Sequence, residues 1–509
     1  MNTQVKRVTS WPNGAGLRST IAFSAFALVG LLLTMGGFQL FDRFGIAVTT
    51  VMVVAVPIAF LIGSGALPDF ISGARALART FGWQESLWAL LFISAMTFEV
   101  RNLHEALNQP LDAYVAVRVA AELVVCIIIA WRVASGRSSL TYLVNGLPKF
   151  VALYCLVSLV STTWSIVPVW TFFKSAEYSL DVIAAVLIFE SATSAEDYMK
   201  VLNWTWTVYA LETGWAWGWG IFAPSLAWDD LGRLFSNFPN VGPNNIGSTG
   251  AVLSLVGISR LLWRDRQGLS RRWYWAVIIY GMASLYVSHT RHAIAGFLLG
   301  LIVILILARR TWLMVALTSV LAPLLVLTSA GPTVATYLRR GQDDAAVRAI
   351  SGRTEFWGVA WEQLSHHPLT GLGAYAGGRF GVMEKIGRGE AGSVHSDWVE
   401  ILVGTSFWGV LALAIVVMAS GWFLYRGALS RRLRRLERDM ALECAGVWTM
   451  LTLHSFFNDE FTMHPPLMFL AVIGYAELLR RRFRAQAVAV PSRASEVPNM
   501  DAALVESGR

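Results

Sequence analysis

Residues 393–425 read SVHSDWVEILVGTSFWGVLALAIVVMASGWFLY. The polar head of this stretch closes a long insertion, residues 330–395. An apolar run of about bilayer-crossing length follows at once. His395 therefore stands where water meets hydrocarbon, at the mouth of a helix bundle. Two arginines fall on the same expected side: Arg291 in Ser-His-Thr-Arg-His and Arg353 in Ser-Gly-Arg-Thr-Glu-Phe-Trp. Two fixed cations and one titratable base suit a site that grips an anion and takes a proton from a nucleophile.

The rest of the chain has the composition that such a bundle needs. It is 55% hydrophobic with a mean hydropathy of +0.53. Only 15% of its residues are charged, against about 25% in soluble domains. The apolar runs are continuous rather than alternating, so the expected fold is an all-α, polytopic transmembrane bundle and not a barrel. The net charge of +8 lies in short basic clusters between apolar runs, as topology signals do, so no nucleic-acid partner is expected. Cys126, Cys155 and Cys444 all lie inside apolar segments and read as buried structural thiols.

Spans are expected near 19–40, 46–66, 84–99, 114–131, 146–163, 170–190, 201–222, 243–263, 273–289, 292–308, 311–329, 396–425, 441–457 and 465–480. With a cytoplasmic N-terminus (1–18), the dense clusters Arg260–Arg272, Arg426–Arg438 and Arg480–Arg484 all fall inside. The organisation is then a bundle over 19–329, an outward loop over 330–395, C-terminal helices over 396–480 and a polar cytoplasmic tail over 481–509. Within the loop, Trp357, Ala360, Trp361 and Leu364 follow helical spacing and predict a short amphipathic helix. His366-His367-Pro368, Gly371 and Gly373 end it.

Each candidate has an ordinary reading beside the chemical one. Arg291 can snorkel to phosphate headgroups, and Arg353 can be a solvated loop arginine. His395 can be an interface histidine bonded to backbone. Asp397 and Glu400 follow it, but helical spacing keeps Asp397 off the histidine's face, so no triad is predicted. His366 and His367 lack the partners of a metal site and read as loop histidines. His454, Asn458, Asp459, Glu460 and His464 cluster at the outer end of the last two spans, where polar residues are often functional and a water-facing turn explains them equally. Tryptophans in 203–220 suit an interfacial belt or sugar stacking. No P-loop, Rossmann fingerprint or Cys/His metal spacing occurs, so neither cofactor nor metal is expected.

Four blocks together resemble the O-antigen ligase and polysaccharide polymerase superfamily. They are Ser161-Thr-Thr-Trp164-Ser165, Pro243-Asn244-Asn245-Ile-Gly247, Ser288-His-Thr-Arg291, and Gly352-Arg353…Trp357…His367-Pro368-Leu369…Gly371-Leu372-Gly373, then His395-Ser396…Glu400. The likeness covers about residues 160–415 and is strongest over 240–410. The chain departs from the pattern at Ser396, where Asn is common, and at Gly404-Thr405-Ser406, where Glu-x-Gly is usual.

The resemblance implies a multi-pass bacterial inner-membrane glycosyl transferase with its active site facing the periplasm. It implies a glycan donor on undecaprenyl diphosphate and an acceptor that is lipid A core or another carrier-linked glycan. Arg291 and Arg353 are then expected on the diphosphate and His395 on the acceptor hydroxyl, with Asn244 and Arg233 as further substrate contacts. A polyprenyl diphosphate leaves readily, so the reaction is expected to be metal-independent. The rivals are a polysaccharide or lipid transporter or flippase, which predicts charges near the midplane, and a non-catalytic scaffold of envelope assembly.

Overall fold

The computed structural model describes residues 82–96, 113–237, 240–263, 271–316, 318–319, 330–339, 342, 352–388 and 393–488. The expected spans 19–40 and 46–66, the N-terminus 1–18, most of 311–329 and the tail beyond 488 lie outside them.

The described chain is all-α. Its helices are α1 (Trp83–Met96), α2 (Ala113–Ala134), α3 (Pro148–Val160), α4 (Pro168–Ser191), α5 (Ala195–Phe222), α6 (Pro243–Leu262) and α7 (Arg271–Ser288). They continue with α8 (Arg291–Leu307), α9 (Ala330–Arg339), α10 (Arg353–His366), α11 (Asp397–Leu429), α12 (Arg435–Ser455) and α13 (Leu467–Val488). One antiparallel pair of two-residue strands, β1 (Ser236–Asn237) and β2 (Asn240–Val241), follows α5. Helix starts follow local chemistry. Proline opens α3, α4 and α6, where a missing N–H costs nothing. Ser194 and Asp197 form a capping box on α5.

Helix α13 is apolar all round over Leu467–Ala476 and stays buried all round to Leu479. It packs with α3, α4, α5, α11 and α12. One buried ion pair lies inside this core. Arg260 donates to both carboxylate oxygens of Glu443, at 2.7 and 3.0 Å, and Trp206 Nε1 donates to the same group at 3.0 Å. The outer surfaces are apolar instead: Leu123, Ile127 and Trp131 on α2, Leu298 and Ile306 on α8, and Leu411, Met418 and Trp422 on α11 are all exposed. Two described helices, α6 and α11, are long and apolar enough to cross a membrane.

Two expectations are corrected here. Cys126 is exposed among the outward apolar residues of α2, while Cys155 and Cys444 are buried. Helix α10 buries Phe356, Ala360 and Leu364, and Trp361 points outward at 66% exposure. The i, i+4, i+8 row thus decides the buried face, with Trp357 half-buried at its edge. Two tryptophans of α5 are hydrogen-bonded within the bundle: Trp206 to Glu443, and Trp217 Nε1 to Ser284 Oγ at 2.9 Å.

Helix α11 is broken at Ser406, whose φ of 55° and ψ of −152° are non-helical. This is the position where the family pattern has glycine, and the backbone keeps a conformation that glycine adopts most cheaply. The break leaves carbonyls of the preceding turn available. Val403 O accepts from Leu372 N at 2.8 Å and Gly404 O from Gly373 N at 2.9 Å. The 367–374 turn docks there and is closed from the other side. Ile166 N donates to Leu372 O at 3.0 Å and Ala374 N to Ser161 Oγ at 3.0 Å. Trp164 Nε1 donates to Thr370 O at 2.9 Å and Trp408 Nε1 to Leu369 O at 3.1 Å. Gly373 has φ +100°, and a Cβ there would lie 2.2 Å from Ser165 Oγ.

Ser406→Gly should relieve strain of about 1–3 kcal/mol and forfeit the hydroxyl bond to Pro368 O, worth about 1 kcal/mol. The melting temperature of the detergent-purified protein should therefore hold or rise. Gly373→Ala should lower it by several degrees; an unchanged value would mean that the turn does not dock as described.

Candidate active site

The turn before α8 is built on α6. Thr290 Oγ1 donates to Pro243 O at 3.2 Å, and Thr290 N to Ser288 Oγ at 3.1 Å. His289, at φ +50°, sends its ring against Tyr337 of α9 (centroids 4.6 Å apart), which stacks on Tyr286 at 5.1 Å. This geometry starts α8 at Arg291, whose Nη2 donates to Gln342 Oε1 at 2.7 Å.

Arg353 opens α10 after Gly352, at φ +87°. Its buried Nε has no hydrogen-bond acceptor among the described residues, and neither does the buried Nε1 of Trp357 one turn on. Burial first, then repulsion from Arg291, lowers the pKa of Arg353, while Asp459 opposes both.

His395 takes φ +54° immediately before the α11 cap, and its N–H donates to Ser393 Oγ at 3.3 Å. Burial lowers its pKa, Asp459 pulls it back up and Arg353 pushes it further down. The resulting balance favours a neutral imidazole, the form that accepts a proton. Arg291, Arg353 and His395, 104 residues apart along the chain, thus share one electrostatic neighbourhood.

Asp459 completes that neighbourhood and had been grouped in the sequence only with a polar cluster. Ser393 Oγ donates to its Oδ2. Burial raises its pKa, and His395, the Ser393 bond and Arg353 oppose the rise. The carboxylates nearer in sequence do other work. Asp397 accepts from Glu460 N (2.8 Å), Phe461 N (2.9 Å), Thr462 N (3.0 Å) and Thr462 Oγ1 (2.6 Å). Glu400 accepts from Val394 N at 3.3 Å. It also backs a one-turn π-helix, Gly377–Met383, in which a Cβ on Gly378 would lie 1.9 Å from its Oε2.

The other two expected contacts are placed differently. Asn244 Nδ2 donates to Asn458 Oδ1 at 3.2 Å, so it holds the loop that carries Asp459. Arg233 pairs with Asp229 at 2.7 Å in the turn ahead of β1, and Asp229 also accepts from Leu231 N and Arg233 N. His366 Nδ1 lies 2.9 Å from the Glu362 carbonyl of its own helix.

One other group among the described residues brings ligand atoms within 4.8 Å of one another: Glu122, Glu177 and His464. Arg118 and Lys174 already contact Glu177, the latter at 2.9 Å, and His464 Nδ1 lies 2.7 Å from Asp181 Oδ2. The donor set is therefore an ion-pair network, poorly suited to a divalent cation beside two fixed positive charges.

Residues 275–417 match the family described as O-antigen ligase. That segment belongs to the O-antigen ligase superfamily. The superfamily consists of inner-membrane glycan transferases of ligase and polymerase type. The matched residues include Arg291, Arg353 and His395; Asn244 and Asp459 lie outside them. A comparison with curated proteins gives no match.

Asp397→Asn should loosen the 458–462 loop. An amide offers one acceptor oxygen and turns its NH2 toward N–H donors, so at least one charge-assisted bond worth about 1.5–3 kcal/mol is lost. Hydrogen exchange at the amides of Glu460–Thr462 should accelerate at least tenfold. Unchanged protection there would refute the clamp.

Proposed function

We propose that the protein is a membrane glycosyl transferase that moves a preassembled glycan from undecaprenyl diphosphate to an acceptor hydroxyl. The observation that carries this reading is the grouping of two arginines with a burial-tuned imidazole inside the segment that matches the family. Exposed apolar faces on α2, α8 and α11 support a lipid-embedded, multi-pass bundle. The basic clusters support a cytoplasmic N-terminus and a site facing the periplasm.

The guanidinium groups of Arg291 and Arg353 hold the diphosphate and stabilise charge as it develops on the departing oxygen. The acceptor oxygen bonds to the anomeric carbon while the bond from that carbon to the diphosphate oxygen breaks. The electron pair leaves with the diphosphate, and the hydroxyl proton passes to the neutral ring of His395. Attack opposite the leaving group inverts the anomeric centre. A lipid A core acceptor makes the protein a ligase, and a carrier-linked glycan makes it a polymerase.

Purified protein given lipid-linked donor should transfer glycan in EDTA without nucleotide, and the acceptor that works separates ligase from polymerase. Loss of turnover on chelation, restored by a divalent cation, would defeat the metal-independent reading.

His395→Ala should slow transfer about 10²- to 10⁴-fold, with donor binding largely kept. Arg291→Ala and Arg353→Ala should each weaken donor binding and cost about 10- to 100-fold in rate; lysine should rescue them only partly. Transfer needs neutral His395, so the rate should rise with pH through its pKa. The acid limb should lie below the ordinary histidine value of about 6.5. It should move up in Arg353→Gln, which removes a depressing cation, and down in Asp459→Asn, which removes the supporting anion. Wild-type transfer by abundant His395→Ala protein would remove the base assignment.

A further inference from the structure

The C-terminal end of α2 carries two arginines that the proposed chemistry does not use. Gly136, at φ +66°, ends the helix. Its N–H donates to Val133 O at 3.0 Å, and Arg137 N donates to Arg132 O at 3.0 Å. This paired closure is common where glycine ends a helix, and it ordinarily brings two apolar side chains together at its first and last positions. Here those positions are Arg132 and Arg137. The backbone therefore draws two cations together.

Basic residues at a helix end usually serve its last carbonyls. Here the carbonyls are already taken. Trp131 O accepts from Ser135 N at 2.9 Å, and Arg132 O accepts from Ser135 Oγ at 3.1 Å as well as from Arg137 N. Arg132 is 9% exposed, and its buried Nε has no acceptor among the described residues. Its guanidinium carbon lies 3.5 Å from the centroid of the Trp83 ring at the start of α1. That of Arg137 lies 4.6 Å from the Trp131 ring. The charge that acts on Arg132 is that of Arg137, of the same sign. Acids at the same end of the bundle are engaged elsewhere. Glu85 Oε2 accepts from Gly82 N at 2.9 Å, and Glu190 accepts from Ser138 Oγ, Ser139 N, Leu140 N and Tyr142 N.

Two neighbouring cations without a carboxylate call for an anion from outside the chain, the more so when one is buried. Guanidinium forks match phosphate oxygens, and an aromatic face holds such a fork in place. The surface leading to the pair is apolar: Leu123, Ile127 and Trp131 form an exposed i, i+4, i+8 row on α2. We propose that Arg132 and Arg137 bind the phosphate headgroup of an anionic lipid in the cytoplasmic leaflet, with its acyl chains along that row. The leaflet follows from the orientation proposed above; the site owes nothing to the transfer chemistry.

The test uses the full-length protein purified in detergent. Native mass spectrometry counts bound phosphatidylglycerol, with phosphatidylcholine as the neutral control. Wild type should hold phosphatidylglycerol in preference. Arg132→Gln should weaken that binding about tenfold, the cost of one charge-assisted contact. Arg137→Glu supplies an internal anion and should abolish it. Arg431→Gln removes an exposed cation from the basic cluster after α11 and should change nothing; an equal loss there would mean diffuse attraction and overturn the site. Should Arg132→Gln fail to fold, Arg137→Gln still decides, and unchanged binding in it overturns the proposal. Displacement of the lipid by millimolar inorganic phosphate would make the occupant a soluble phosphate and overturn the lipid assignment. A reporter fused at Ser138 that reads the outer side would overturn the leaflet. Glycan transfer in detergent should be unaltered in Arg132→Gln. A wild-type protein that binds the lipid and transfers no glycan would end the transferase reading and leave this one standing.

Discussion

The carboxylate of Asp397 is the constraint on which the site depends. It is fully buried and accepts four hydrogen bonds from the Glu460–Thr462 segment. A buried carboxyl group is tolerable when its acceptor sites are filled, and here three consecutive backbone amides and the Thr462 hydroxyl fill them. The same residue lies in the first turn of α11, where negative charge meets the positive end of the helix dipole. It also stands two residues after His395. One short stretch therefore carries the titratable ring and clamps the loop that brings Asp459 to face it. Asn244 adds a second tie at Asn458, which couples the start of α6 to that loop.

The insertion is built into the bundle rather than appended to it. Its 367–374 turn takes hydrogen bonds that α11 gives up at Ser406, and the Ser161–Ser165 block closes over it. Helix α10 is held through Phe356, Ala360 and Leu364, and it delivers Arg353 at its first residue. A strained residue in a helix thus becomes the socket for a loop. The cost at Ser406 is offset by backbone bonds that a continuous helix could not have offered.

Much of this was legible in the sequence because it is written in local patterns. Continuous apolar runs gave helices close to where they lie, and the four short blocks drew Arg291, Arg353 and His395 together. The partner of His395 was not legible. Asp459 is 64 residues further along, in a loop whose path is set by Asp397, and no spacing rule links two residues across a tertiary clamp. The role of Asp397 was hidden for the same reason: helical geometry correctly keeps it off the histidine and says nothing of what it caps. Spacing alone put Trp361 on the buried face of α10, whereas the row through Phe356 packs better and leaves the indole outside. The resemblance marked Arg233 without showing its ion pair with Asp229, four residues before it.

Trp164 and Trp408 each donate an indole N–H to a carbonyl of the same short turn, at Thr370 and Leu369, while their rings stay exposed. Indoles settle at the boundary between headgroups and acyl chains. On the proposed membrane reading, two of them on either flank of one turn would act as a float line, setting the height at which that turn rides and, through α11, the height of His395. A lipid-linked substrate would carry its phosphates at a height set by the same boundary. Protein and substrate would then be levelled against a common surface before they meet, and the encounter would become a search in two dimensions.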